Sequence, residues 1–156
     1  MTLEWKEITD LKSVDVSKLM EESEAEGYRF LRRLVDQYED GTNTFNKEGE
    51  ILYGAWDNGQ LVAIGGLNRD PYSDKSGVGR LRRFYISEKV RRQGIGTQLL
   101  QKIVDHARGH FKELVVRTDS ANADAFYRAN GFSGDLGLPD ASHGLTLEND
   151  YSKSAQ

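Results

Sequence analysis

The sequence predicts a mixed α/β fold: one central, mostly antiparallel sheet with some parallel pairing, and helices packed on its faces. Three observations predict it. Strand-like and helix-like segments follow the irregular order β, αα, βββ, α, β, α, ββ. Two β-rich runs flank Asp57-Asn58-Gly59, a strong hairpin signal. A glycine-containing turn then joins a further strand to an amphipathic helix.

The elements follow in order. Leu3 to Thr9 alternates apolar and polar residues and reads as a first strand. Val16 to Tyr38 carries Leu19, Met20, Tyr28, Leu31, Leu34, Val35 and Tyr38 near helical spacing. Gly27 divides it into two helices, with Ser17 as the cap and Gly41 as the stop. Ile51–Trp56 and Gln60–Leu67 form the hairpin. Residues 68–79 are rich in Gly, Ser, Asp and Pro and read as a loop. Arg80–Ile86 is the next strand. Thr97–Arg108 is a helix whose buried face is Leu99, Leu100, Ile103, Val104 and Ala107. Glu113–Thr118 is a short buried strand. Asn122–Asn130 is a helix burying Ala125, Phe126 and Ala129, stopped by Gly131. Phe132 to Leu147 supplies two last strands around Pro139 and Asp140.

Residues 1–156 read as a single domain with one core, and 151–156 as a frayed polar tail. Net charge is −4, so nucleic acid is not the expected partner. With no cysteine, disulfides, thiolate metal sites and Cys nucleophiles are excluded. No apolar run suggests a signal peptide or a membrane span, so the expectation is a cytoplasmic protein without membrane contact. Monomer and homodimer are both open.

The turn Arg91-Arg92-Gln93-Gly94-Ile95-Gly96-Thr97 carries the clearest chemistry. Two glycines let the backbone approach a ligand closely. The following helix presents unpaired N–H groups and the positive end of its dipole, and Arg91 and Arg92 add charge. Such a turn suits a phosphate or pyrophosphate, although a Gly-x-Gly at a strand–helix junction can be a turn and nothing more. The P-loop pattern is absent, and Leu99 stands where the dinucleotide fingerprint needs its third glycine.

Leu81-Arg82-Arg83-Phe84-Tyr85-Ile86 followed by Arg91-x-x-Gly94-x-Gly96 and an amphipathic helix resembles the signature of the GNAT N-acetyltransferases. A second segment, Asn122-x-x-Ala125-Phe126-Tyr127-x-x-x-Gly131-Phe132, resembles that family's downstream motif. Together they cover about a third of the chain, and the element order extends the likeness to nearly all of it. The resemblance implies acetyl-coenzyme A as cosubstrate, an amine on a small molecule or peptide as acceptor, and no metal. It implies that the backbone of Phe84, Tyr85 and Ile86 holds the pantetheine arm like an added strand. The N–H groups from Arg91 to Thr97 would hold the pyrophosphate, and Asn122 the pantetheine or phosphate region. Tyr127 would protonate the leaving thiolate as general acid. Without the resemblance, Tyr127 reads as a core aromatic beside Phe126.

Where many relatives carry a Glu thought to serve as base or water holder, this chain has Arg80, which cannot be a base. Asp70, Asp74 and Asp119 are candidates by neighbourhood in sequence. Strand alternation puts Arg80 and Arg82 on one face and Arg83 on the other, as solvated edge charges or contacts to an acidic substrate group. Arg80 and Tyr28 are candidate substrate contacts, and Phe30 could border the acceptor pocket with Tyr28. His106 and His110, four apart, lack an evident third metal ligand, and His143 reads as structural. Two rival functions stay open: a non-catalytic acyl-coenzyme A sensor lacking a base, and a phosphate-binding module.

Overall fold

A computed structural model describes residues 2–134 and 137–147; the expected frayed tail at 151–156 lies outside the described residues. Seven strands form one sheet among them: β1 (Glu4–Glu7), β2 (Ile51–Asp57), β3 (Gln60–Arg69), β4 (Val78–Ile86), β5 (Glu113–Val116), β6 (Ser133–Gly134) and β7 (His143–Thr146). Their spatial order is β1-β2-β3-β4-β5-β7-β6, and β4–β5 is the parallel pair. The crossover between those two strands is helix α3 (Ile95–Arg108). The expected architecture is therefore present.

The two faces have separate cores. On one, α3 buries Leu99, Leu100 and Ile103 completely against β3 and β4, and helix α4 (Ala121–Ala129) adds Tyr127. On the other, helices α1 (Ser17–Ala25) and α2 (Phe30–Asp40) bury Leu19, Leu31 and Leu34 with Leu52, Ile64 and Tyr85. Each such aliphatic side chain contributes about 1.5–3 kcal/mol, so packing outweighs helix propensity in fixing α3.

Local chemistry sets most boundaries. Asn58 (φ 49°) and Gly59 (φ 79°) form the left-handed hairpin turn. Gly41 (φ 81°) ends α2 as expected. Ser17 is not the cap of α1 but its first residue: Val16 stands at the cap with no side-chain cap hydrogen bond, and Asp15 just before it accepts from the Ser17 N–H at 3.0 Å. The expected loop at 68–79 is shorter, because Asn68, Arg69, Val78 and Gly79 join the strands on either side. Ser120 caps α4, accepting from the Ala123 N–H. That helix buries Tyr127 rather than Ala125 and Ala129, which are exposed.

Two features of β4 position the site. Its pairing with β5 ends at Arg80↔Val115, whereas its pairing with β3 continues to Ala63↔Ile86. The sheet therefore opens beside residues 81–86. A bulge lies in the same stretch: the register slips between Ile64 and Gly66, and Arg83 takes φ 57°. The extra residue bends and twists the strand away from β5. Opposite the bulge, a Cβ on Gly66 would lie 2.5 Å from the Phe45 ring, and one on Gly65 would lie 2.9 Å from Ile103. Only glycines let α3 on one face and the α2–β2 loop on the other pack this closely at that point.

Candidate active site

The opening is a groove of about 630 Å³. Its walls are residues 81–86 of β4, Arg91, Arg92 and Gly94 to Thr97 at the start of α3, Val116 to Thr118 after β5, and Asn122, Phe126 and Tyr127 of α4. Glu26, Tyr28 and Phe30 close one end.

The turn adopts the conformation its sequence suggests. Gly94 (φ 78°) is the left-handed residue before α3, and Arg92 (φ 64°) is left-handed too. The first intrahelical bond is Gln98 N–H to Gly94 O, leaving the N–H groups of Ile95, Gly96 and Thr97 outside the helix ladder. They point with the helix dipole toward the groove, which suits an anion. A Cβ on Gly96 would meet Phe126 at 3.4 Å, an ordinary contact, so an alanine fits and only a larger side chain would fill the space between α3 and α4.

Along β4 the strand alternation sorts the backbone. Ser87 N–H bonds Val62 O and continues the ladder to β3. Ile86 accordingly turns its polar groups to the groove, where its carbonyl accepts from Arg91 Nε at 3.0 Å. By the same alternation Phe84 faces the groove and Tyr85 pairs inward with Ile64. The expectation that all three backbones face a ligand is thus corrected: the backbone of Tyr85 belongs to the sheet.

The Tyr85 side chain forms a network that sequence reasoning missed. Its hydroxyl lies 2.7 Å from Glu22 Oε2 and also reaches Glu26. Glu22 further accepts from Ser87 Oγ (2.9 Å) and Glu88 N–H (2.9 Å). Arg91 forks onto Glu26 at 2.9 and 2.7 Å. The positive charge of Arg91 is therefore paired with α1 rather than left free for a phosphate. Burial opposes ionisation of Glu22, but its hydrogen bonds from Glu88, Tyr85 and Ser87 and the charge of Arg91 outweigh this and hold it below its ordinary value. Arg91 and Tyr85 do the same to Glu26. Burial and the two carboxylates push Tyr85 upward. The only hint in the sequence was the pair of acids on one helical face, a pattern that is ordinary for a solvated helix.

Tyr127 lines the groove with a ring that is only 5% exposed. Phe126, Phe132, His143 and Phe84 surround it at centroid distances of 5.2, 5.3, 5.9 and 6.5 Å. Among the described residues its hydroxyl has no hydrogen-bond partner, and burial pushes its pKa upward. The core-aromatic reading and the groove-facing reading are both true of this one side chain.

The remaining candidates disperse. Arg80 lies outside the groove, 3% exposed, with Nε donating to Asp70 at 2.8 Å and the Nη atoms to the carbonyls of Asp140 and Pro139. It is neither an edge charge nor placed for a substrate, because three acceptors already hold it. Asp70 is spent in the same ion pair. Asp74 is exposed, as is Asp119 beside Arg117. Asn122 and Tyr28 do line the groove. The bulge also corrects the alternation of the arginines, since Arg82 and Arg83 both line the groove. The ring nitrogens of His143 meet Ser142 Oγ (2.8 Å) and Asp124 Oδ1 (2.6 Å), fastening α4 to β7. His106 lies 3.1 Å from Gly49 O, and burial, then His110, lowers its pKa. Among the described residues no group of three or more His, Asp or Glu is placed to hold a metal, and no helix is long and apolar enough to cross a membrane.

Comparison with known proteins agrees with this geometry. Residues 14–132 match the model of the acetyltransferase (GNAT) family. A crystal structure from Exiguobacterium sp. 255-15, described as an acetyltransferase, superposes with TM-score 0.84 at 26% identity over 100% of both chains. A GNAT-family acetyltransferase from Staphylococcus aureus Mu50 gives 0.72 at 18% identity, covering 92% of this chain and 96% of that one. One from Elizabethkingia anophelis, solved with acetyl-CoA bound, gives 0.60 at 19% identity, covering 94% and 97%. No curated protein sequence matches the chain. The family match spans both the splayed strand β4 and the glycine turn that opens α3, and on it the chain belongs to the GNAT acetyltransferases.

Proposed function

We propose that this chain transfers an acetyl group from acetyl-coenzyme A to an amine, with Tyr127 as general acid. The observation that carries the reading is the groove where β4 parts from β5. It combines an open strand edge, free helix N–H groups and a tyrosine hydroxyl along one wall. An open edge can accept a pantetheine arm by strand-like hydrogen bonds from Phe84 and Ile86. The N–H groups from Arg92 to Thr97, with Arg92, suit the pyrophosphate, and Asn122 stands on the opposite wall. Arg91 supports the turn through Glu26 and Ile86 instead of binding phosphate with its side chain.

In the reaction the neutral amine attacks the thioester carbonyl carbon. The C–N bond forms, the C–S bond breaks, and the sulfur leaves with the electron pair. Tyr127 gives its hydroxyl proton to that sulfur and is reprotonated from solvent. Reference values place a tyrosine near 10 and a thiol near 8.5, so transfer to a solvated thiolate would be uphill. The apolar wall that raises Tyr127 would also raise a thiol formed beside it, so the transfer stays uphill by no more than about the reference gap and is drawn forward by loss of the thiol and reprotonation of Tyr127 from solvent. A groove-facing N–H of β4 would hold the oxyanion. Glu26, held anionic by Arg91 and Tyr85, is a poor base, so the amine proton passes to solvent in the open groove.

Calorimetric titration with acetyl-coenzyme A tests the reading. Near one-to-one micromolar binding is expected. Gly94→Val adds a β-branched residue at φ 78°, and Gly96→Val narrows the passage beside Phe126; together they should abolish that binding. No binding at millimolar ligand would reject the reading. Binding without turnover on any amine would favour the sensor, a reading suggested by Arg80 standing where a base is usual.

A further inference from the structure

We propose that Arg83, supported by Arg82, binds a carboxylate on the acceptor, so that the acceptor class is amines carrying a nearby carboxylate, such as amino acids and short peptides. The inference rests on the acetyltransferase reading and concerns the acceptor end of the same groove.

Charge bookkeeping isolates these two residues. The charged side chains lining the groove are Glu26, Arg82, Arg83, Arg91, Arg92 and Arg117. Glu26 is taken by Arg91, and Arg117 by Asp140 and Asp119. Arg92 stands at the anion-binding turn. That leaves Arg82 and Arg83 on β4, away from that turn, and among the described residues neither has a carboxylate within ion-pairing distance.

Arg83 is also half-buried. Its Nη2 donates to Gln37 Oε1 of α2 at 3.1 Å, while its Nε is buried and finds no acceptor among the described residues. A buried guanidinium donor left unmatched is costly. Elsewhere this chain supplies the missing anion itself: Asp70 for Arg80, and Glu26 for Arg91. At Arg83 it supplies a neutral amide, which orients the fork without neutralising it. Burial, then Arg82 and Arg33, lower the Arg83 pKa to about 10, so the cation persists at neutral pH in a locally positive setting. Nη1 has no partner among the described residues and is not buried like Nε, so that end of the guanidinium can meet a carboxylate in the groove.

Its placement fits an acceptor rather than the coenzyme. Arg83 faces α2 through Gln37, whereas Phe84 turns to the opposite face and packs against Phe126 and Tyr127. Tyr28, 43% exposed, and Phe30 meet as a tilted ring pair at 5.5 Å on the α1–α2 side and offer an apolar shelf for the rest of the acceptor. The left-handed backbone at Arg83 is disfavoured for an arginine, yet it brings this side chain into the groove beside Arg82.

Thiol release from acetyl-coenzyme A, measured on matched amines, tests the proposal. Amino acids and dipeptides are compared with their amides, each rate corrected for the fraction of neutral amine. The carboxylate member should have kcat/KM at least about tenfold higher, the size of a charge-assisted hydrogen bond. Arg83→Gln should bring the ratio near one, and Arg83→Lys should retain part of it. Arg83→Asn, which tolerates the left-handed backbone, replaces Arg83→Gln if that variant melts early. Equal rates for both members, no acetylation of any carboxylate-bearing amine, or a preference that survives the substitutions overturns the inference. Acetyl-coenzyme A titration of the same proteins separates the two levels: intact binding without the preference sinks only the inference, and absent binding sinks the acetyltransferase reading as well.

Discussion

Tyr127→Phe separates chemistry from structure at one atom. The substitution keeps the ring that Phe84, Phe126, Phe132 and His143 enclose. It removes a hydroxyl that no described residue hydrogen-bonds. Folding therefore loses no internal hydrogen bond, and stability should change by less than about 1 kcal/mol, or about 4 °C in Tm for a chain of this length. Turnover should fall at least about tenfold, and as far as the 10²–10⁴ typical of general acids. Acetyl-coenzyme A affinity should stay similar, because the backbone groups proposed to hold it are untouched. Because burial raises Tyr127, it should stay protonated through the working range, and the rate should rise with amine deprotonation without a falling limb below about pH 10. Thiol release across pH, a melt and a titration on both proteins suffice. Unchanged turnover, or a loss of turnover that tracks a loss of Tm, would refute the assignment.

Other expectations test how the site is held. Arg80→Met strands the buried Asp70 carboxylate and should cost about 3–5 kcal/mol by urea unfolding; a raised KM with an unchanged midpoint would return Arg80 to the substrate site. Gly66→Ala places a Cβ 2.5 Å from Phe45 and should cost about 1–3 kcal/mol, read from the same transition; an unchanged midpoint would mean the bulge relaxes freely. Glu22 and Glu26 have folded pKa values below their ordinary 4.5. Their contribution is complete above that value and lost as pH falls through the lower folded values, so Tm should decline in that acid window. Glu22→Gln with Glu26→Gln should flatten the decline, and an equally steep limb in the double variant would deny the network its role.

What was legible in the sequence was local. Asn58-Gly59 specified its hairpin because few residues accept two left-handed positions in a row. Gly94 marked the turn before α3, Gly96 falls in the helix's first turn, and helical spacing marked the face of α3 that is buried. The motif at Asn122 to Phe132 located Tyr127, although the buried face of α4 was misread. Alanines look like core in a pattern, but the burial of a short helix is decided by the partners it meets. The Glu22–Glu26–Tyr85–Arg91 network could not be read, because the two glutamates lie 59 to 65 residues from the partners they bind and only tertiary packing joins them. Arg80 was misjudged for the same reason: Asp140 and Pro139 lie on a distant turn.

The sequence by itself determined the order of elements, the glycine turn and the family, since these depend on backbone conformations and periodicities set by neighbouring residues. Tertiary structure alone decided where β4 parts from β5, which arginines face the groove and which are neutralised. A single bulge at Arg83 shifts the alternation of every residue after it, and the sign of the field in the groove depends on which carboxylates the fold brings within about 4 Å of each cation.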